Sequence, residues 1–100
     1  MRLYYRLRGY RILDANAWIG GYELDLVVRR GGRLSFVEVK AKGNGRYGDP
    51  LEMVGPEKAR RLRWAAEAWL VAHPQLLGLE VGLEVVAVRG SAIERLQEAF

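Results

Sequence analysis

The chain has 100 residues, half of them hydrophobic, with 16 basic and 12 acidic residues and a net charge of +4. This length suits one globular domain, and the hydrophobic fraction excludes a disordered chain. The sequence has no cysteine, which excludes disulfides and thiolate metal sites, and no apolar run near the roughly 20 residues of a membrane span. These features predict a cytoplasmic protein without a membrane segment, and the basic surplus favours a polyanion such as nucleic acid as partner.

The first part of the chain predicts short elements that lead into a central hairpin. Residues 1–9 predict a helix, because Leu3 and Leu7 are four residues apart and Gly9 is suited to end it. A short strand is expected over residues 10–13, followed by a turn at residues 14–16. Residues 17–19 begin the next strand.

Residues 22–40 predict a β-hairpin with a tight turn. Its strands cover residues 22–29 and 34–40, and the turn at residues 30–33 contains Gly31 and Gly32, which supply the positive φ that a two-residue turn needs. Strand alternation places Glu38 and Lys40 on one face of the second strand. On the first strand, Glu23 and Asp25 share a face, and the other face carries Tyr22, Leu24 and Leu26.

The acidic residues of the hairpin predict a metal-dependent site. A hairpin pinned at residues 31–32 sets Asp25 near Glu38 across the strand pair, and burying such groups without a function is costly. Carboxylates are ligands that Mg²⁺ or Mn²⁺ prefers, and Lys40 would then lie beside the metal and an attacked phosphate. The alternative for Glu38 and Lys40 is an exposed ion pair of little energetic value.

Basic residues follow the hairpin in a stretch rich in glycine. Residues 41–55 predict a long loop that carries Lys42 and Arg46. This loop is either a surface connection or a flexible basic flap that closes over a phosphate backbone.

Residues 56–72 predict a helix with Pro56 in its first position. Helical projection gives one core stripe, formed by Ala59, Leu62, Ala66, Trp69 and Leu70. The opposite face is unusually apolar around Arg60, Trp64 and Val71, which indicates either a homodimer surface or a helix buried on two sides. Lys58, Arg60, Arg61 and Arg63 form either a solvated charge run or a phosphate-binding cluster at the start of the helix.

The last quarter of the chain predicts a strand and a terminal helix. His73 is expected to be structural or exposed, and residues 75–81 to form a linker. A strand is expected over residues 82–89. A helix is expected over residues 91–100, because Ser91 and Glu94 match a capping box. The order of elements predicts an α/β domain with a mixed sheet.

Five short motifs carry a resemblance to a known family. They lie at residues 21–26 (GYELDL), 36–40 (FVEVK), 48–50, 58–62 and 99–100. Together they resemble the bacterial YraN family, which is assigned to the restriction-endonuclease-like superfamily and is similar to archaeal Holliday-junction resolvases. The resemblance implies a nuclease-type core with Asp25 and Glu38 as metal ligands, Lys40 as catalytic lysine and Glu23 as an additional acid.

The chain departs from the family pattern at two places. Tyr22 intervenes between the glycine and Glu23 of the first motif. Family members usually begin with a longer first helix that carries a Gly-Glu pair, and this chain starts one or two residues after the position of that glutamate. The sequence therefore predicts a single nuclease-like domain over residues 1–100 with a truncated first helix.

Three functions follow from these observations as hypotheses. The first is a nucleic-acid-binding protein of nuclease fold, as a Mg²⁺-dependent endonuclease on branched or structured DNA. It would contact phosphates through basic residues of the loop and helix, namely Lys42, Arg46, Lys58, Arg60 and Arg61. The second is a non-catalytic binding module that retains the fold, and the third is a dimeric interaction protein.

Overall fold

The computed structural model describes residues 1–41 and 50–99, which form a five-stranded sheet with a helix on each face. In chain order the elements are α1 (Arg2–Leu7), β1 (Arg11–Ile19), β2 (Tyr22–Arg30), β3 (Arg33–Ala41), α2 (Pro50–Val71), a 3₁₀ turn (Pro74–Leu76), β4 (Glu80–Arg89) and β5 (Ala92–Ala99). The strands lie side by side in chain order. β3 and β4 are parallel and the other neighbours are antiparallel, so the predicted mixed sheet is confirmed.

The central hairpin forms as the sequence predicts. Arg30 pairs with Arg33, so Gly31 and Gly32 form a two-residue turn, and Gly31 has a φ of 58°. β3 then continues through α2 into β4, because parallel neighbours need a crossover rather than a tight turn. Asp25 and Glu38 thus lie on adjacent antiparallel strands.

The predicted terminal helix is wrong, because residues 92–99 form strand β5. Arg89 pairs with Ala92, and Gly90, with a φ of 58°, forms a second two-residue turn with Ser91. Gly-Ser between two strands is itself a hairpin signal. Pairing along the whole of β4 outweighs the local capping box.

Strand β1 is continuous where the sequence predicts a turn. The pairing of β1 with β2 shifts between Ile12 and Asp14, and Asn16 adopts a φ of 52°. Asp14 accepts a hydrogen bond from the backbone of Ala15 and another from the Trp69 indole, at 2.9 and 3.0 Å. The turn-forming residues therefore produce an irregular strand rather than a chain reversal.

Each face of the sheet has its own hydrophobic core. The core under α2 contains Leu24, Val27, Leu34, Phe36, Leu62, Ala65, Ala66, Trp69, Leu70 and Leu83. The core beside α1 contains Tyr5, Tyr10, Leu26, Val28, Val37 and Val86. Four of the five residues predicted for the α2 stripe are buried, whereas Ala59 is half-buried.

In β1 and β2 the alternation of side chains between the two faces of the sheet is interrupted at the same place. Leu24 packs in the core under α2, but Leu26, two residues later, packs in the core beside α1. Ala17 and Ala15 are divided in the same way on β1, on either side of Asn16. The expectation that Leu24 and Leu26 share a face is therefore wrong, and Asp25 lies at the point of the change.

The bounds of α2 and β4 also differ from the prediction. α2 begins at Pro50 and contains Pro56 in its interior, so residues 50–55 are helical and not part of a loop. Pro50 takes the first-turn position, where a missing N–H costs nothing. β4 begins at Glu80, two residues earlier than expected. Across the described residues, no helix has both the length and the apolar character that crossing a membrane requires.

Candidate active site around Glu38

Glu38 is a buried carboxylate on which three polar side chains converge. It lies on β3 and is 5% exposed. Its Oε2 accepts a hydrogen bond from the Tyr22 hydroxyl at 3.3 Å. Its Oε1 lies 3.1 Å from Nζ of Lys58 and 3.6 Å from Nζ of Lys40. Groups from β2, β3 and α2 therefore meet at one carboxylate.

The local geometry of each element explains this convergence. Glu38 and Lys40 are two residues apart on a strand, so they project from the same face, as the sequence predicts. Phe36 belongs to the core under α2, which shows that this face of β3 looks towards the helix. Lys58 precedes the buried Leu62 by one helical turn, so its side chain leaves α2 on the side that meets the sheet.

The two lysines differ in their affinity for a proton. The pKa of Lys40 is lowered, first by its hydrogen bond with Lys58 and then by burial. The pKa of Lys58 is raised, first by that same hydrogen bond and then by its interaction with Glu38. Lys40 is therefore the amine that gives up its proton more readily, while Lys58 remains the counter-charge of Glu38.

Tyr22 stays protonated beside Glu38. Burial and the negative charge of Glu38 raise the pKa of Tyr22 to about 12. Its hydroxyl therefore acts as a hydrogen-bond donor to the carboxylate at neutral pH. Tyr22 departs from the family motif in the sequence, and in the structure it is a direct partner of the central acid.

Asp25 is hydrogen-bonded to the backbone of Val39, the residue that follows Glu38. Regular pairing of β2 with β3 runs from Arg30 to Leu26, and beyond it Oδ2 of Asp25 accepts a hydrogen bond from the backbone N–H of Val39 at 2.8 Å. The side chain thus replaces a backbone acceptor at the point where β2 changes faces. Asp25 also lines an open cleft of about 360 Å³ next to Met1 and Asn16.

The remaining predicted site residues either have their described contacts with residues other than Glu38 or lie outside the described residues. Glu23 is half-buried and pairs with Trp18 of β1. Arg60 and Arg61 are exposed on α2 and form ion pairs with Glu57 at 3.1 and 3.4 Å. Lys42 and Arg46 lie outside the described residues.

The outer face of α2 is open to solvent. Trp64 is 56% exposed and Val71 is 77% exposed. Apart from a contact between the Trp64 ring and Gly20, the described part of this chain leaves that face uncovered, so the alternative of a helix buried on two sides is wrong.

A second polar cluster was not found from the sequence. Glu84 is fully buried and accepts hydrogen bonds from the Tyr5 hydroxyl at 2.7 Å, from Nε of Arg95 at 3.0 Å and from Gln97 at 3.1 Å. Burial raises the pKa of Glu84, but the hydrogen bonds of Arg95 and Tyr5 outweigh it and the pKa is lowered. All of these partners are side chains of α1 and β5, so the cluster joins α1, β4 and β5. The sequence analysis missed this cluster because it predicted a helix, rather than strand β5, for the segment that contains Arg95 and Gln97.

Sequence reasoning also missed the position of Lys58 at Glu38. It grouped Lys58 with the phosphate-binding residues of the helix, although the spacing from Lys58 to Leu62 already placed both on one side. Tyr22 was missed because a residue that departs from a motif gives no signal of its own.

Comparison with known proteins gives consistent results over most of the chain. The family model of the uncharacterised protein family UPF0102 matches residues 1–89. A UPF0102 protein of Anaeromyxobacter dehalogenans is 47% identical over 81% of this chain and 60% of its own length. Those of Klebsiella pneumoniae and Xanthomonas campestris are 37% and 42% identical, over 93% and 92% of this chain and 73% and 77% of their own lengths. The chain thus spans from three fifths to about three quarters of these relatives.

Proposed function

Because this chain belongs to the uncharacterised protein family UPF0102, its site geometry is the basis on which we propose a function. We propose that it binds nucleic acid with a restriction-endonuclease-like core and hydrolyses phosphodiester bonds in branched or structured DNA. The fold supports this proposal through the order of its elements: a hairpin, a helical crossover and a parallel strand, with Glu-x-Lys on the strand before the crossover. That likeness is an analogy of fold, so the chemistry is argued from the residues.

One observation carries the proposal: Glu38 is buried at 5% exposure, yet its partner Lys58 is partly open to solvent. A buried carboxylate is costly unless it is paired, and an exposed one would gain little from pairing. The cluster therefore presents two amines at the surface that are held by a fixed anion below them. A phosphate group that approaches this surface meets the ammonium group of Lys58 and the amine of Lys40 together.

The donor set fits Mg²⁺ or Mn²⁺ in type. Asp25 and Glu38 would hold the ion, since Mg²⁺ is usually bound by one or two carboxylates and keeps several waters. Within residues 1–41 and 50–99, no group of three His, Cys, Asp or Glu side chains is placed to hold a metal, so water would complete the coordination. When bound, the ion would polarise the phosphate and lower the pKa of a bound water.

The amines have separate roles in this proposal. Lys40, with its lowered pKa, takes a proton from the attacking water or stabilises charge on the phosphate. Lys58, with its raised pKa, remains charged and neutralises the phosphate oxygens. Tyr22 orients Glu38 through its hydroxyl. Asp25 is held in place by the N–H of Val39.

A non-catalytic binding module is the second candidate, and a specific observation favours it. Both oxygens of Glu38 already have partners, namely Tyr22 on one side and the two lysines on the other. A divalent ion would have to displace Lys58 or share the carboxylate with it. If the lysines stay in place, the same surface binds phosphates without cleaving them.

A nuclease assay separates the two candidates. The protein is incubated with labelled junction, flap, duplex and single-stranded DNA, with Mg²⁺, Mn²⁺ or a chelator. We expect divalent-dependent cleavage that is lost in Glu38→Gln, with binding retained or improved because one negative charge is removed. Glu67→Gln is the matched control, because it removes the same negative charge from an exposed position on α2.

Two results decide against an enzyme. Cleavage that persists unchanged in Glu38→Gln would belong to a contaminant or a different site. Absence of cleavage with every metal and substrate, together with salt-sensitive binding, would establish the binding module instead.

A further inference from the structure

Trp64 covers the turn between β1 and β2 while remaining largely exposed. A Cβ atom at Gly20 would lie 1.9 Å from one carbon of the Trp64 ring and 2.5 Å from the next, so the ring edge sits directly on the glycine. Trp64 nevertheless keeps 56% of its surface exposed. An aromatic ring fixed along one edge and open elsewhere is pre-organised for a flat ligand.

The position of Trp64 on α2 connects it to Glu38. Lys58, Arg61 and Trp64 follow one another at intervals of three residues, so each lies next to the previous one on the helix surface. The row winds from the side of α2 that meets the sheet towards its outer face. From Lys58 to Trp64 the helix rises by about 9 Å, so the two side chains leave α2 less than two turns apart. The Gly20 turn also leads within two residues to Tyr22, which binds Glu38.

The charges around Trp64 suit a phosphate backbone. Arg60, Arg61 and Arg63 lie within four residues before it, and all three are exposed. In the described part of the chain Arg63 has no acidic partner, whereas Arg60 and Arg61 share Glu57. An exposed aromatic ring among arginines is how proteins hold single-stranded nucleic acid, by base stacking and phosphate contacts together.

We propose that Trp64 is a stacking platform for an unpaired base close to the phosphate held at Lys40 and Lys58. The inference rests on the proposed function, and it assigns the substrate class: nucleic acid with an unpaired segment next to the bond that is bound. A base that remains in a duplex has no free face to offer Trp64. The site therefore prefers flaps, junctions and single strands to uninterrupted duplex.

The test measures binding by fluorescence anisotropy with a chelator present, so that cleavage does not interfere. The probes are a labelled oligo-dT of about 20 nucleotides, longer than common single-strand site sizes, and a labelled duplex of the same length. We expect Trp64→Ala to weaken oligo-dT binding about ten- to a hundredfold, the usual value of one base–aromatic stack. Duplex binding should change by less than about threefold.

A pair of glycine variants tests the ring position without removing the ring. Gly20 and Gly21 both have positive φ, at 60° and 80°, so alanine strains the backbone at either. At Gly20 the new methyl group collides with Trp64, whereas at Gly21 nothing lies within 4 Å. Gly20→Ala should therefore lose oligo-dT binding as Trp64→Ala does, and Gly21→Ala should retain it. Trp18→Ala, at a second exposed tryptophan, should leave binding unchanged.

The outcomes distinguish this inference from the proposed function. Absence of binding to every nucleic acid overturns both. Binding of oligo-dT that Trp64→Ala leaves unchanged, or an equal loss with duplex, overturns the inference alone. A dimer in solution that Trp64→Ala converts to a monomer would assign Trp64 to a second copy of the chain and also overturn it.

Discussion

Nζ of Lys58 on α2 lies 3.1 Å from Oε1 of Glu38 on β3, the strand before the crossover. The helix that connects the parallel strands β3 and β4 thus places a positive charge beside an acid of β3. The same carboxylate is the one that a divalent ion would need. Competition between Lys58 and a metal for Glu38 is the central question that the structure raises about this site.

Replacing Lys58 by methionine should make the protein more responsive to divalent ions. Without Lys58, Glu38 keeps only the longer contact with Lys40, at 3.6 Å, as counter-charge. We expect a loss of about 1 kcal/mol of stability without metal, since the pair is partly exposed. Mn²⁺ should then raise the melting temperature more in the variant than in the native protein. Arg63→Met is the control, and equal shifts in all three proteins would mean that Lys58 does not compete with a metal for Glu38.

Cleavage should depend on pH through Lys40. Its pKa is lowered, so the neutral amine appears at a lower pH than in an ordinary lysine. We expect the cleavage rate to rise with pH and to level off at a lower pH than an ordinary lysine base would allow. Lys40→Arg keeps the positive charge but cannot release a proton near neutral pH, so it should bind DNA and lose this rise. A variant with an unchanged pH profile would exclude Lys40 as the base.

Glu57 should weaken nucleic-acid binding by occupying Arg60 and Arg61. Both arginines pair with this one glutamate on the surface of α2. Glu57→Gln frees them and should tighten DNA binding, whereas the double variant Arg60→Ala/Arg61→Ala should weaken it. Removing one ion pair with a phosphate reduces the slope of log affinity against log salt by about 0.9. Binding titrations at several salt concentrations measure this slope, and a slope that the double variant leaves unchanged would exclude these arginines.

Arg95 should be essential for stability because of Glu84. The Arg95→Met variant leaves a fully buried carboxylate without its cation, and we expect a cost of about 3–5 kcal/mol. The double variant Glu84→Met/Arg95→Met removes the stranded charge and should be the more stable of the two. Urea unfolding measures both free energies. If the double variant is the less stable, the uncompensated charge of Glu84 is not the main cause of the stability lost in Arg95→Met.

The same pair should make stability sensitive to acid. The pKa of Glu84 lies below its usual value of 4.5 in the folded protein, so the unfolded chain binds a proton first as the pH falls. The contribution of Glu84 to stability is therefore complete above about pH 4.5 and is lost below it. We expect the stability difference between the native protein and Glu84→Gln to shrink as the pH falls through this range. A constant difference would mean that Glu84 titrates normally.

Features that depend only on neighbouring residues could be predicted from the sequence. Gly31 and Gly32 specify a tight turn, and alternation along β3 then places Glu38 and Lys40 on one face. Helical periodicity likewise identified Leu62, Ala66, Trp69 and Leu70 as core residues. In each case the signal lies within one element, so the backbone geometry of that element is sufficient to predict it.

The tertiary structure alone decided the rest, because the relevant partners are far apart in the chain. Ser91 and Glu94 satisfy the local rule for a helix start, but Glu84, once buried, needs Arg95 and Gln97 from a neighbouring strand. A buried charge without a partner costs more than a lost helix cap, so the strand forms. The contact between Lys58 and Glu38 has the same origin, since only packing of α2 against the sheet brings a helix residue to a strand twenty positions earlier.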